Sequence, residues 1–172
     1  MEGEVVALTN KEEEEKTAEL QRFLRFKLGG NELCLLPTEG VVQVLQIEIE
    51  DILPVPQMPA CVMGVYNWRG DMLWLVDFQH LVGLQPLLSE DVNLTKGMTI
   101  VVKLNNKLMG LMVDKVEDIE ERDRQQMQLL AAGLFSSELL EFLQGYFLSK
   151  NNKMLMVFEG EAIVNAPVLQ RL

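Results

Sequence analysis

Short apolar runs separated by turn residues recur along most of this chain, and few folds tolerate that rhythm. Gly29-Gly30-Asn31, Trp68 to Asp71 around Gly70, Asn105-Asn106 and Lys150-Asn151-Asn152 each lie between two runs rich in Leu, Val, Ile, Phe or Met. Glycine and asparagine accept the backbone conformations that a tight reversal demands, so each site reads as the bend of a β-hairpin. The arms follow from the alternation of side chains. Residues 22–28 place Leu24, Phe26 and Leu28 on one face and Arg25 and Lys27 on the other, and 32–36 return as the second arm. Residues 64–67 and 72–77, 98–104 and 107–113, and 145–148 and 153–158 form the other pairs. Val41 to Ile47 is a further strand, and Val116 to Glu121 a weaker one.

Helices find little room between these runs. Pro37 suits a helix start or a kink, and Thr38 to Gly40 allow only a short helical turn. The segment DILPVPQMP, residues 51–59, has three prolines in nine residues, which forbids a regular helix or central strand and leaves a stiff connector. Gln79 to Leu84 predicts a helical turn ending at Gly83. Ser136 or Ser137 caps a short helix over Glu138 to Leu143, and Glu159 to Asn165 closes the chain as another. Asn10 and Glu13 form a possible capping pair, so residues 1–20 are either a short helix over 11–20 or an acidic tail. Residues 85–97, QPLLSEDVNLTKG, are turn-rich and mark an internal boundary. On either side the pattern is alike: a long hairpin, then a strand pair followed by a short helix. Nine or ten short strands argue for a mainly β barrel or sandwich.

Composition excludes several functions. A net charge of −11 argues against nucleic acid, whose backbone demands clustered cations. Nearly half the acidity is local: residues 1–20 contribute −5. No run approaches the 18 or so apolar residues of a membrane span, and the first residues are acidic where a signal peptide is basic, so a cytoplasmic location is expected. Cys34 and Cys61 stand alone in apolar surroundings and read as buried free thiols. With one histidine, a zinc site is not expected.

Catalytic groupings are missing. His80 reads as a capping or surface residue. Ser89, Ser136, Ser137 and Ser149 lack an activating base. Asp77 and Asp114 each close an apolar strand and would suit acid–base work as a pair, but an aspartate there more often caps the next turn. The ten methionines fill gaps in a core more often than they line an adaptable surface. Binding remains. The hairpin tip offers Asn67, Trp68, Arg69 and Gly70, which combine hydrogen bonds, aromatic area and a permanent charge where a structural hairpin carries small polar residues.

The segments FLRFKLGGNELCLLP, PVPQMPACVMGVYNWRG, DMLWLVDF, MGLMVDKVEDI and LQGYFLSKNNKMLMVF occur in the order found in CheW-like domains, and residues 21–165 resemble that family of chemotaxis coupling proteins. The most specific element is P-x-x-P-x-x-x-x-G-x-x-N-x-R-G, from Pro56 through Pro59, Gly64 and Asn67 to Arg69 and Gly70. V-D-x-V at Val113 to Val116 supports it. The resemblance implies two SH3-like five-stranded β-barrels around a shared apolar core, intertwined, with their boundary near 85–97 and with 166–172 as a C-terminal end. It implies a non-enzymatic adaptor, without cofactor or metal, recruited to membrane-associated receptor arrays. The implied partners are the regulatory domain of a CheA-type histidine kinase, the cytoplasmic tip of a methyl-accepting receptor, and other CheW-like domains; nucleic acid and direct membrane insertion are not implied. On this reading Arg69, Gly70 and Gln43 face the kinase, and Val41, Val44, Thr99 and Val101 line a groove between the barrels for a helical receptor tip. Gln43 stands where relatives commonly carry a glutamate near the arginine; glutamine still accepts a hydrogen bond from Arg69 but forms no ion pair, which leaves Glu39 or Asp71 as other partners for it. Trp68 is bulkier than the usual aliphatic residue. The alternatives are a small-molecule-binding β-barrel, with ligand in the junction, and a regulator that competes with the true adaptor.

Overall fold

A computed structural model describes residues 18–172. The helix considered for residues 11–20 therefore lies outside the described residues, save for its last three, which lead into a strand. Ten strands follow in chain order: β1 (Leu20–Leu28), β2 (Glu32–Pro37), β3 (Val41–Glu48), β4 (Val62–Trp68), β5 (Asp71–Asp77), β6 (Lys96–Leu104), β7 (Lys107–Val113), β8 (Lys115–Asp123), β9 (Leu143–Leu148) and β10 (Met154–Phe158). Three short helices, α1 (Phe78–Leu81), α2 (Ser137–Leu140) and α3 (Gly160–Val164), fill corners. Thr38 to Gly40 form a turn, and α1 gives way to Gly83, whose φ of 89° ends it as expected. Ser136 caps α2 by accepting from the Leu139 N–H, but α2 stops at Leu140. Leu139, Phe142 and Leu143 are all buried and share helical spacing, yet Leu143 is claimed by strand pairing with Phe158.

The strands form two five-stranded sheets, ordered β8-β1-β2-β10-β9 and β3-β6-β7-β5-β4. These orders are one pattern used twice. A central hairpin (β1–β2 or β6–β7) has a lone antiparallel strand on one side, β8 or β3. On its other side lies a second hairpin whose last strand, β10 or β5, runs parallel to it. Each sequence half lays down hairpin, single strand, hairpin and helix, but its first hairpin joins one sheet and its later three strands join the other. The 85–97 segment thus separates the sequence halves and not the sheets, as a spatial boundary there would require; it links β5 to β6 within the second sheet. The chain crosses between sheets at residues 38–40 and at Asp114. Local pattern locates a hairpin, but a parallel neighbour is a long-range choice that turn residues do not announce.

Side chains bury on both faces of each sheet. Phe26, Phe78, Ile100, Val102, Leu111 and Phe158 belong to a shared core between the sheets. Leu73, Leu75, Val101 and Met112 fill the second sheet's own interior, and Phe23, Leu35, Phe147 and Val157 fill the first. Ala166 and Leu169 are buried in the shared core, so the folded unit runs past residue 165, where it was expected to end. Met109, Met112 and Met156 are core residues, as the composition suggested. The acidic strand β8 has little apolar reason to form; it pairs instead with the cationic face of β1. Arg25 Nε lies 3.0 Å from Glu117 and Lys27 Nζ 3.3 Å from the same carboxylate, and Arg25 Nη1 lies 3.7 Å from Glu120.

The glycine of the P-x-x-P-x-x-x-x-G motif is explained by a close approach. Leu53, inside the proline connector, exchanges backbone hydrogen bonds of 2.9 Å with Val65 of β4. Gly64 has φ 141°, and a Cβ there would overlap the Leu53 carbonyl. Gly64→Ala is expected to destabilise the protein by about 2–4 kcal/mol through steric overlap and a disfavoured backbone angle, read as a lowered urea midpoint.

Candidate functional site

The β4–β5 hairpin closes through a two-residue turn, Arg69-Gly70, between paired Trp68 and Asp71. Arg69 has φ 52° and Gly70 φ 83°, the double left-handed geometry of a type I′ reversal. Asn67 secures it: its Oδ1 accepts from the Gly70 N–H at 3.0 Å. The turn thereby holds the Arg69 side chain out at the apex, where it is exposed.

A second strand meets this apex. A bulge in β3 at Val42 pairs Val41 with Val102 and Gln43 with Val101, which turns Gln43 toward the rim of the second sheet's interior. Gln43 Oε1 accepts from the Trp68 indole Nε1 at 3.0 Å and from Arg69 Nη2 at 3.0 Å. Both neighbours can only donate, so the amide oxygen must face them. The guanidinium also lies 4.9 Å from the centroid of the Trp68 ring, within cation–π range. Arg69 is thus held at two points. Among the described residues it enters no salt bridge, and Glu39 and Asp71 do not serve as its counter-ions. The apex is an ordered, uncompensated positive charge on an acidic protein.

The structure therefore brings Gln43, Asn67, Trp68, Arg69 and Gly70 together. It does not assemble the expected groove. Thr99 and Val101 are 0% exposed. They point into the second sheet's interior, while Val41 and Val44, half-buried, pack against the shared core on the opposite face. Strand β6 is covered on both sides, and alternation along it sends Ile100 and Val102 one way and Thr99 and Val101 the other. An apolar run in sequence looks the same whether one face or both are buried. The centre of the junction is filled by core side chains such as Phe26, Phe78 and Phe158.

Three exposed apolar residues were missed. Val42 is 46% exposed beside Gln43, where the bulge breaks the alternation that would have hidden it. Leu53 and Met72 are 67% and 66% exposed and flank a cleft of about 370 Å³ on the outer face of the hairpin, with Val65, Tyr66 and Asp71. Alternation with buried Leu73 and Leu75 carries a signal for Met72; nothing in the sequence marks Leu53.

The residues weighed for catalysis have structural tasks. Asp77 is buried; its Oδ1 accepts from His80 N at 3.2 Å and its Oδ2 from Leu87 N at 2.7 Å, so it caps α1 and anchors the following loop. Burial pushes its carboxyl above the ordinary value, against the pull of those N–H donors. Asp114 is exposed at the crossing between sheets. Ser149 Oγ accepts from Lys153 N in the β9–β10 turn. Cys34 and Cys61 are buried free thiols, both pushed up by desolvation, which suppresses the thiolate that reactivity requires.

With the geometry in place, comparison with known proteins is informative. The family model described as "CheW-like domain" matches residues 22–168. The chemotaxis protein CheW of Rhizobium meliloti (strain 1021) is 31% identical over 100 residues, which cover 58% of this chain and 59% of that protein. The chemotaxis protein CheW of Treponema pallidum (strain Nichols) is 20% identical over 154 residues, 88% of this chain and 86% of that one. The crystal structure of scaffolding protein TtCheW from Thermoanaerobacter tengcongensis superposes with a TM-score of 0.66 at 21% identity, covering 81% of this chain and 88% of that one. That likeness establishes the fold: mainly β, with two SH3-like subdomains.

Gln43→Ala removes the acceptor shared by Trp68 and Arg69. A loss of about 1 kcal/mol in denaturant unfolding is expected, with a shift in tryptophan emission as the indole loses its partner. Asp77 supplies a pH test. Because its folded value is raised, its contribution to stability is fully present below the ordinary carboxyl value of 3.8 and is lost as pH rises through the raised value. The stability of wild type relative to Asp77→Asn should therefore decline from acid toward neutral pH, measured by denaturant unfolding across that range.

Proposed function

The chain belongs to the CheW-like domain family, and from that premise we propose that it is a non-enzymatic adaptor in a chemosensory pathway. It joins the cytoplasmic tip of a methyl-accepting receptor to the regulatory domain of a CheA-type histidine kinase. The observation that carries this reading is the Arg69 apex: an exposed arginine, fixed by Gln43 and Trp68 in a turn secured by Asn67. Fixing a long side chain before contact lowers the entropy lost on binding, as a recognition surface requires. The names of the relatives, chemotaxis and scaffolding proteins, agree with a binding role.

Two faces follow. The apex, with Gln43, Asn67, Trp68, Arg69 and Gly70, takes the kinase regulatory domain or another CheW-like domain. The strip along β3, with Val41 and Val44 half-buried and Val42 exposed between them, takes the helical receptor tip. No helix among the described residues is long and apolar enough to cross a membrane. On this reading the adaptor reaches the membrane-associated array from the cytoplasm, through its receptor.

Arg69→Asn is the decisive variant, because asparagine keeps the left-handed backbone while removing the guanidinium. It should match wild type in stability to within about 1 kcal/mol, since relief of backbone strain offsets the lost Trp68 and Gln43 contacts, and should lose at least about tenfold in affinity for the cognate kinase's regulatory domain by calorimetry. Wild-type affinity in a folded Arg69→Asn protein would sink the assignment of the apex.

A further inference from the structure

We propose that Arg69 and Gln43 form a carboxylate clamp, so that the surface docking on the hairpin apex presents an acidic side chain, Asp or Glu, at its centre. The proposal rests on the adaptor reading and specifies its partner's chemistry.

Charge comes first. Among the described residues, Arg22, Arg25 and Arg122 are each paired with a glutamate, whereas Arg69, like Arg124 and Arg171, enters no salt bridge; its contacts are neutral, an amide oxygen and an indole face. It is nevertheless held in place, unlike a solvated surface arginine. A guanidinium offers five N–H donors, and the bond from Nη2 to Gln43 uses one of them. The remaining donors belong to an exposed side chain at the apex.

Gln43 supplies the second jaw. Its oxygen is committed to Trp68 and Arg69, which turns its amide nitrogen away from both. That nitrogen has no hydrogen-bond partner among the described residues, on a side chain that is only partly buried. Gln43 thus keeps amide N–H donors to spare, as Arg69 keeps guanidinium N–H donors, and its one acceptor atom is already used twice. An incoming neutral hydroxyl or carbonyl would satisfy one donor; a carboxylate, with two oxygens and about four lone-pair sites, satisfies both jaws and neutralises the charge. A cation or an apolar group would leave the clamp's donors unpaired at a closed interface, which is costly.

Gln43→Glu tests the clamp without disturbing the site's shape. Glutamate still accepts from Trp68, but it pairs with Arg69 internally and meets the partner's carboxylate with a like charge. Binding of the cognate kinase's regulatory domain is measured by calorimetry at low and high salt for wild type, Gln43→Glu and Arg69→Asn, each with a thermal melt. The clamp predicts that wild-type binding weakens with salt, that Gln43→Glu loses about tenfold in affinity at low salt while melting no lower than wild type, and that its salt dependence is shallower. If Arg69→Asn loses binding but Gln43→Glu matches or exceeds wild type, the clamp is wrong and the adaptor reading stands. If Arg69→Asn binds normally, the apex assignment fails and takes the clamp with it.

Discussion

Three phenylalanines hold the two sheets to one another. Phe26 comes from β1 and Phe158 from β10 in the first sheet, and Phe78 follows β5 of the second. Their ring centroids lie 5.7 Å (Phe26–Phe78), 6.0 Å (Phe26–Phe158) and 4.9 Å (Phe78–Phe158) apart, in tilted contacts that aromatic rings prefer to face-to-face stacking. All three are fully buried. Removing one such ring from a core costs about 3–5 kcal/mol, a large share of the stability of a domain this size. The trio matters more because the strands are exchanged. Each sequence half gives its first hairpin to one sheet and its last three strands to the other, so the first sheet joins the two ends of the chain, β1–β2 and β8–β10, around a second sheet built from the consecutive strands β3 to β7.

The hairpin apex inherits its geometry from this exchange. Gln43 lies on β3, immediately after the first crossing, while Trp68 and Arg69 lie on the β4–β5 hairpin. What fixes β3 is the crossing itself: Thr38 N donates to Arg22 O of β1 at 3.1 Å, and Gly40 O accepts from Lys103 N of β6 at 2.8 Å. Gly40 has φ 85°, and a Cβ there would collide with Leu104, so the crossing is tight as well as bonded. A strand tied at once to both sheets then bulges at Val42, which aims Gln43 at the hairpin. Distance between site and core is therefore short in mechanical terms.

Local chemistry was legible in the sequence and long-range choice was not. Gly29-Gly30, Arg69-Gly70 and Asn105-Asn106 all adopt the positive φ that marked them as reversals, and the hairpins they join are present. The proline connector forms no regular helix or strand, though it opens on a 3-10 turn ending at Asp51 and reverses at Gln57, φ 62°, and Asp77 caps as an aspartate at a strand end should. The parallel pairs β2–β10 and β5–β7, by contrast, have no local signature, and with them went the true partition of the chain into sheets. Thr99 and Val101 were misplaced for a related reason: burial on both faces erases the alternation that would have revealed orientation. Within the apex, the Arg69–Gln43 bond followed from residue chemistry once the resemblance placed them together. The Trp68 bond to the same oxygen did not, because it depends on the bulge at Val42.

The composition of the turn itself argues that Arg69 is there for something outside the fold. A type I′ reversal is best served by asparagine followed by glycine, and the β6–β7 turn of the same protein uses Asn105-Asn106 with φ of 51° and 61°. Arginine in left-handed backbone costs on the order of 1 kcal/mol. The Trp68 stack and the Gln43 hydrogen bond return a comparable amount, about 0.5–1 kcal/mol from each at exposed positions. The two sides nearly cancel, so the fold gains little from arginine that asparagine would not supply more simply. Nor does the cancellation explain the direction of the side chain, since both compensating contacts hold the guanidinium at the apex and not flat against the sheet. An unstrained turn residue was available to this chain and is used elsewhere in it. Keeping a strained, charged and immobilised arginine at this position is accounted for by a partner that meets it there.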